Sequence, residues 1–186
     1  MRKLLGLAMA GMLLAGAAYG TPLTGHAAAA MLFSPSAVQV VINAGAGLPK
    51  DMAGALKTVL AGQPAYGAAA ISPDDGLMSE ATIFVGNYHD AVHAGQAAVQ
   101  QCDAKRKGKT PCVVAATVLP MGWKAQAVQL SQAATAGFIA SYPKTGGALA
   151  TSATTGGWAI GATEPAALAD CAKKSKAKDC SVVIAN

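Results

Sequence analysis

Few residues in this 186-residue chain can do chemistry, and they gather in three places. The first is His89-Asp90-Ala91-Val92-His93. Two histidines four apart on a helix face one way and can share a metal, with an acid beside the first as the base for a metal-bound water. The pattern departs from the H-E-x-x-H zinc motif in its Asp, which is one methylene shorter than Glu. The third histidine, His26, lies near the N-terminus, so a third ligand would have to come from Asp74, Asp75 or Glu80. The alternative is a pair of surface histidines near a helix start. The second place is a set of four cysteines, and the third is a pair of lysine-rich loops. There is no G-x-S-x-G elbow, P-loop or dinucleotide fingerprint. Asp74-Asp75 reads as turn chemistry, and no cofactor is expected.

Cysteines and lysines belong to one repeated pattern. Cys102 to Val114, CDAKRKGKTPCVV, returns as Cys171 to Val183, CAKKSKAKDCSVV. At an offset of 69, Cys102 meets Cys171, Lys105 meets Lys174, Lys107 meets Lys176, Lys109 meets Lys178, and Val113-Val114 meets Val182-Val183. Only the second cysteine slips, by one place. The repeat favours Cys102 with Cys112 and Cys171 with Cys180 over the two crossed pairings. Closing a loop of about ten residues contributes roughly 2.5 to 3 kcal/mol in the chain-entropy model. Spacings this long lack the C-x-x-C element of a zinc site.

The compartment follows from the N-terminus. Arg2-Lys3, an apolar run of roughly fifteen residues and the small residues Ala18-Tyr19-Gly20 make residues 1 to 20 a secretory signal peptide, with an alternative cut after residue 30. No later stretch is long and apolar enough to span a membrane. Export to an oxidising periplasmic or extracellular space suits an even number of cysteines in disulfides. Removing Arg2 and Lys3 with the leader leaves 12 of the 14 cationic residues against nine acids, a mature charge near +3. Eight of those cations are Lys105, Arg106, Lys107 and Lys109, and Lys173, Lys174, Lys176 and Lys178; without them the chain would be near −5. The positive charge is therefore local. Lysines after a helix complement its negative end, and two such loops also form a doubled cationic surface for an acidic protein or an anionic envelope component. No aromatic side chains lie between the lysines to stack on bases, which argues against nucleic acid. Trp123 and Trp158 read as packing residues.

The elements that must position these loops are legible in part. Residues 21 to 37 read as a mobile arm, 37 to 43 as a short strand and 51 to 61 as a helix, giving an N-terminal arm over 21 to 63. Tyr66 to Gly76 lies over Ala136 to Gly146 at an offset of 70, each a short apolar run entering a P-x-x-G turn. Return strands are expected at 79 to 86 and within 148 to 161, where Thr154-Thr155-Gly156-Gly157 signals a turn. Helices follow at about 90 to 101 and from Thr163-Glu164-Pro165, with last strands at 112 to 118 and 180 to 185. The expectation is an α+β fold of two tandem β-β-α-β units, 64 to 118 and 136 to 186, joined by a linker over 119 to 135. The units would share one antiparallel sheet with helices on one face, each unit closed by its own disulfide.

Phe138 to Pro143, Gly146, Trp158, Ala166-Ala167-Leu168 before Cys171, and Asp179-Cys180-Ser181-Val182-Val183 together resemble a small exported bacterial domain of unknown function. Its pattern is a G-A-I-A-Y-S-P strand, an Ala-rich helix ending in Cys and a D-C-x-V-V strand. The match is weaker over 66 to 118, where Pro111 precedes the cysteine in place of Asp. The resemblance implies an exported disulfide-bearing domain of accessory, inhibitor or immunity character, and no catalytic residues. The expected function is therefore a non-catalytic protein that binds another protein in the bacterial envelope. Two alternatives stand beside it. One is an accessory subunit of a membrane-bound periplasmic oxidoreductase, with residues 21 to 48 wrapping the partner, and the other is a small metal-dependent hydrolase using His89 and His93.

Overall fold

A computed structural model describes residues 21 to 186; the expected leader over 1 to 20 lies outside them. The described chain is α+β, with two antiparallel sheets, five α-helices and two disulfides. The first sheet contains β1 (Val38–Ile42), β2 (Gly67–Ile71), β3 (Ile83–Val85) and β4 (Val113–Pro120) in the order β1-β4-β2-β3. The second contains β5 (Ala148–Ser152), β6 (Trp158–Gly161) and β7 (Cys180–Ala185) in the order β6-β5-β7.

The central strands β2, GAAAI, and β5, ALATS, are buried throughout. A strand buried on both faces reads as a continuous run without alternation, and its alanines let flanking helices approach closely. On one face of the first sheet, Ala68 and Ala70 meet Ala94, Ala98 and Cys102 of α3 (Ala91–Asp103). On the other, Ala69, Ile71 and Val118 meet Leu56 and Leu60 of α2 (Lys50–Leu60). In the second sheet, Ala148 and Ala150 meet Ala167 and Cys171 of α5 (Glu164–Ser175). Leu149 and Ile184 face Ala28 of α1 (Gly25–Ala29) and Phe138 of α4 (Gln132–Ser141). Alanine cores bury little apolar area per residue, which leaves more for the two disulfides to stabilise.

Three expectations are corrected. A single shared sheet with helices on one face does not form. The outer edge of β4 is taken by β1 and part of the outer edge of β7 by Leu23, whose N–H donates to Val183 O at 3.1 Å. Each sheet is then covered by helices on both faces. Residues 136 to 141 are helical: Ser131 caps α4 by accepting from Ala134 N–H, and this capping bond starts the helix. The hairpin strand is displaced to β5, so that Ser72 corresponds to Ser152 at an offset of 80. Both hairpins turn through a left-handed glycine, Gly76 (φ 79°) and Gly156 (φ 71°), whose N–H donates to the carbonyl of Ser72 and Ser152 respectively. Finally, residues 21 to 30 are docked on the second sheet and not mobile. Gly25 N–H donates to Asn186 Oδ1 at 2.7 Å, and Ala28 is fully buried.

Candidate functional site

The basic loops are the best-developed candidate, and each is braced from beneath by acids. The first runs from the end of α3 to β4, closed by Cys102–Cys112. Asp103, in the last turn of α3, accepts from Cys112 N–H (2.9 Å) and Arg106 Nε (2.7 Å), while Arg106 Nη1 donates to Gly108 O (2.6 Å). From the β2–β3 turn, Asp75 accepts from the N–H groups of Lys107 (2.9 Å) and Gly108 (3.1 Å), and Asp74 from both N–H and Oγ1–H of Thr110 (2.8 Å each). Gly108 is required here, because a Cβ would sit 2.4 Å from Asp74 Cβ. Hydrogen bonds to the ionised form hold all three carboxyls below their ordinary range. For Asp74 the main donor is Thr110 N–H, for Asp75 Lys107 N–H and for Asp103 Cys112 N–H.

The second loop, closed by Cys171–Cys180, uses the reverse arrangement. Its own Asp179 reaches across to the β5–β6 turn, accepting from Ser152 Oγ–H (2.6 Å) and Thr154 N–H (2.9 Å). Partial burial pushes the Asp179 carboxyl up, and the bonds from Ser152 and Thr154 outweigh it, leaving a net lowering. The acid thus stands on the hairpin turn in the first half and on the loop in the second. Asp74-Asp75 face Thr154-Thr155 in the correspondence, and Pro111 faces Asp179. Ser175 Oγ–H donates to Cys171 O (2.6 Å) as α5 ends, and Lys176 caps it with a left-handed backbone at φ 56°.

Above these braces the lysines are exposed. Lys105, Lys107 and Lys109, and Lys173, Lys174, Lys176 and Lys178 all face solvent, and none forms an ion pair among the described residues. Arg106 differs, being half-buried and engaged in bracing its own loop. Lys105 and Lys107 border an open depression of about 370 Å³ with Asp75, Met78, Ser79, Glu80 and Ala81.

The histidines do not converge. His89 is 5% exposed; its Nδ1 accepts from Ser131 N–H at 3.0 Å and its Nε2–H donates to Gly157 O at 3.1 Å. Both ring nitrogens are therefore committed, fixing a neutral Nε2–H tautomer that ties the segment before α3 to α4 and to the β5–β6 turn. Burial holds its pKa below the ordinary 6.5, with hydrogen bonding to Gly157 opposing. His93 Nδ1 meets Asp90 Oδ2 at 2.6 Å, and Asp90 also caps α3 through His93 N–H. With no lone pair left on His89, the two rings offer no shared ligand point, and no cluster of three metal-ligating side chains exists among the described residues. Trp123 packs on the first core and donates Nε1–H to Gln129, and Trp158 packs on the second.

The pairing of acids with the loops lies outside what the sequence expectations covered. Its signal was the exchange of Asp between turn and loop in the two halves, visible once Ser72 is laid over Ser152. No family model, curated protein or solved structure matches this chain, so the resemblance over 136 to 186 rests on its motifs alone. No helix among the described residues is long and apolar enough to cross a membrane.

Proposed function

We propose that this is an exported, non-catalytic protein that binds another protein of the bacterial envelope through its two lysine-rich loops. The observation that carries the reading is the separation of roles within each loop. Backbones are fixed by disulfide, acid and cap, while seven lysine side chains are left in solvent without ion pairs among the described residues. A rigid loop loses little entropy when its charges are engaged. The depression beside Lys105 and Lys107 also holds Glu80 and the 90% exposed Met78, a mixture that suits an acidic protein surface better than a uniform polyanion.

Two further proposals belong to this reading. The sequences of elements β2-β3-α3-β4 and β5-β6-α5-β7 are copies of one β-β-α-β unit, supported by the matched turns, disulfides and lysines, so that the partner meets two related loops. Residues 1 to 20 direct export, supported by the two disulfides. Cleavage there is favoured over a cut after residue 30, which would remove Leu23 and buried Ala28 from the second sheet. The docking of that segment on its own chain also counts against its wrapping a larger oxidoreductase.

Retention of the purified protein on its native envelope fraction tests the reading. Binding that elutes with salt and falls when either loop's lysines are changed to alanine supports it. Salt-resistant binding indifferent to both loops overturns it.

A further inference from the structure

We infer that the free edge of β1 pairs antiparallel with β1 of a second copy, joining two first sheets into one eight-stranded sheet across a two-fold axis at Val40. Two bonds flank the strand: Asn43 N–H donates to Ala115 O (2.8 Å) and Met121 N–H to Ala37 O (3.0 Å). These fix which way it faces. Odd-numbered residues bond β4, and the N–H and C=O groups of Val38, Val40 and Ile42 point outward, with no strand beside them among the described residues. The other edges are protected. β7 carries Leu23, β3 has three residues and β6 four. By contrast β1, VQVVI, has five residues with no charge, proline or bulge to discourage pairing.

Self-pairing fits this edge for two reasons. First, an uncharged strand can lie against its own copy without placing like charges opposite each other. Antiparallel pairing on Val40 sets Val38 against Ile42 of the second copy and Gln39 against its Val41. Second, the covering helix is at the right place. The helix α2 lies over β1 and β4 through Leu56 and Leu60. With strands ~4.8 Å apart, a two-fold through the new pair sets the two α2 axes about 10 Å apart, the ordinary distance for packed helices. At 100° per residue Met52 and Val59 share one shoulder of α2 beside Leu56, and they are 39% and 66% exposed. On the opposite face Val41 is 50% exposed. Where that shoulder meets its copy, helix contact adds apolar burial to the backbone bonds, toward the ~1,000 Å² that a stable dimer requires.

The register gives a selective test. Gln39 and Val41 lie on the face away from α2, so a Gln39→Lys/Val41→Lys variant sets lysine against lysine at both flanking pairs, and Gln39→Lys/Val41→Glu sets lysine against glutamate. Light scattering on the purified protein is expected to show a dimer for wild type, self-association weakened roughly tenfold or more in the Lys/Lys variant, and its recovery in Lys/Glu. Amide exchange at Val38, Val40 and Ile42 is expected to slow with protein concentration in wild type and Lys/Glu alone. A wild-type monomer at all concentrations, open-ended aggregates, an undisturbed Lys/Lys dimer, or Lys/Glu no better than Lys/Lys would each overturn the inference.

Discussion

Acidification should weaken the fold first at His89. The imidazole is held neutral, accepting from Ser131 N–H and donating to Gly157 O, and its folded pKa lies below the ordinary 6.5. Protonation puts a donor against the Ser131 N–H and a charge in a buried site, so the unfolded chain binds the proton more readily. The stabilisation is fully present above pH 6.5 and is lost as pH falls from there toward the folded pKa. Between about pH 7.5 and pH 5.5 this linkage removes at most about 1.4 kcal/mol, the limit for a ring that titrates at 6.5 only in the unfolded chain. In a chain of this size that lowers Tm by at most roughly 5 °C. The loop-bracing carboxyls of Asp74, Asp75, Asp103 and Asp179 have lowered pKa values, so their contribution persists through this window and fades only as pH falls below the usual carboxylate range. The assay is thermal or urea unfolding across that range, for wild type and for His89→Gln, which keeps one donor and one acceptor without a titrating ring. Wild type is expected to lose stability and the variant to stay nearly flat. Equal losses in both proteins would refute the assignment.

Four further outcomes follow from the same contacts. Replacing Cys171 and Cys180 by serine should lower stability by roughly 2.5 to 3 kcal/mol in urea unfolding, with peptide mapping of the variant retaining only the Cys102–Cys112 link. Lys176→Gly should raise stability by about 0.5 to 1 kcal/mol by relieving the left-handed backbone, yet weaken envelope binding, a split seen by pairing calorimetry with the retention assay. Gly137→Ala should destabilise by about 1 to 3 kcal/mol, because its Cβ would lie 2.0 Å from Trp158 Cη2, and should change Trp158 fluorescence. Asp179→Ala, which leaves fully buried Ser152 Oγ without that acceptor, should cost about 1 kcal/mol at neutral pH and flatten the acid limb of the stability curve.

The parts of the fold legible in the sequence were those with local signals. Thr163-Glu164-Pro165 carries a cap, an acid and an N-terminal proline, and α5 begins there with Thr163 accepting from Ala166 N–H. The cysteine pairs were legible because each lies within one of the two similar stretches, 102 to 114 and 171 to 183. What failed was the assignment of one alanine-rich segment, 136 to 141, which was expected to be a strand like 67 to 71 and is a helix. GAAAI and QAATAGFIAS carry little period or propensity contrast, yet one is a strand buried on both faces and the other a capped helix. Tertiary packing decides between them: β2 lies between two helices, whereas α4 starts at Ser131, which His89 and the capping bond hold in place. The site was legible as charge but not as architecture, since the acids that brace the loops lie about thirty residues away in the chain, Asp75 on Gly108 and Asp179 on Ser152.

In the proposed function, position and not total charge makes these lysines a binding surface. Four other lysines, Lys50, Lys57, Lys124 and Lys144, lie outside the loops. Changing those four to alanine and, separately, Lys105, Lys107, Lys174 and Lys176 to alanine alters net charge equally. Retention on the native envelope fraction at low salt should persist in the first variant and be lost in the second. Equal loss in both, or retention of the second, would rule out the loops as the binding surface.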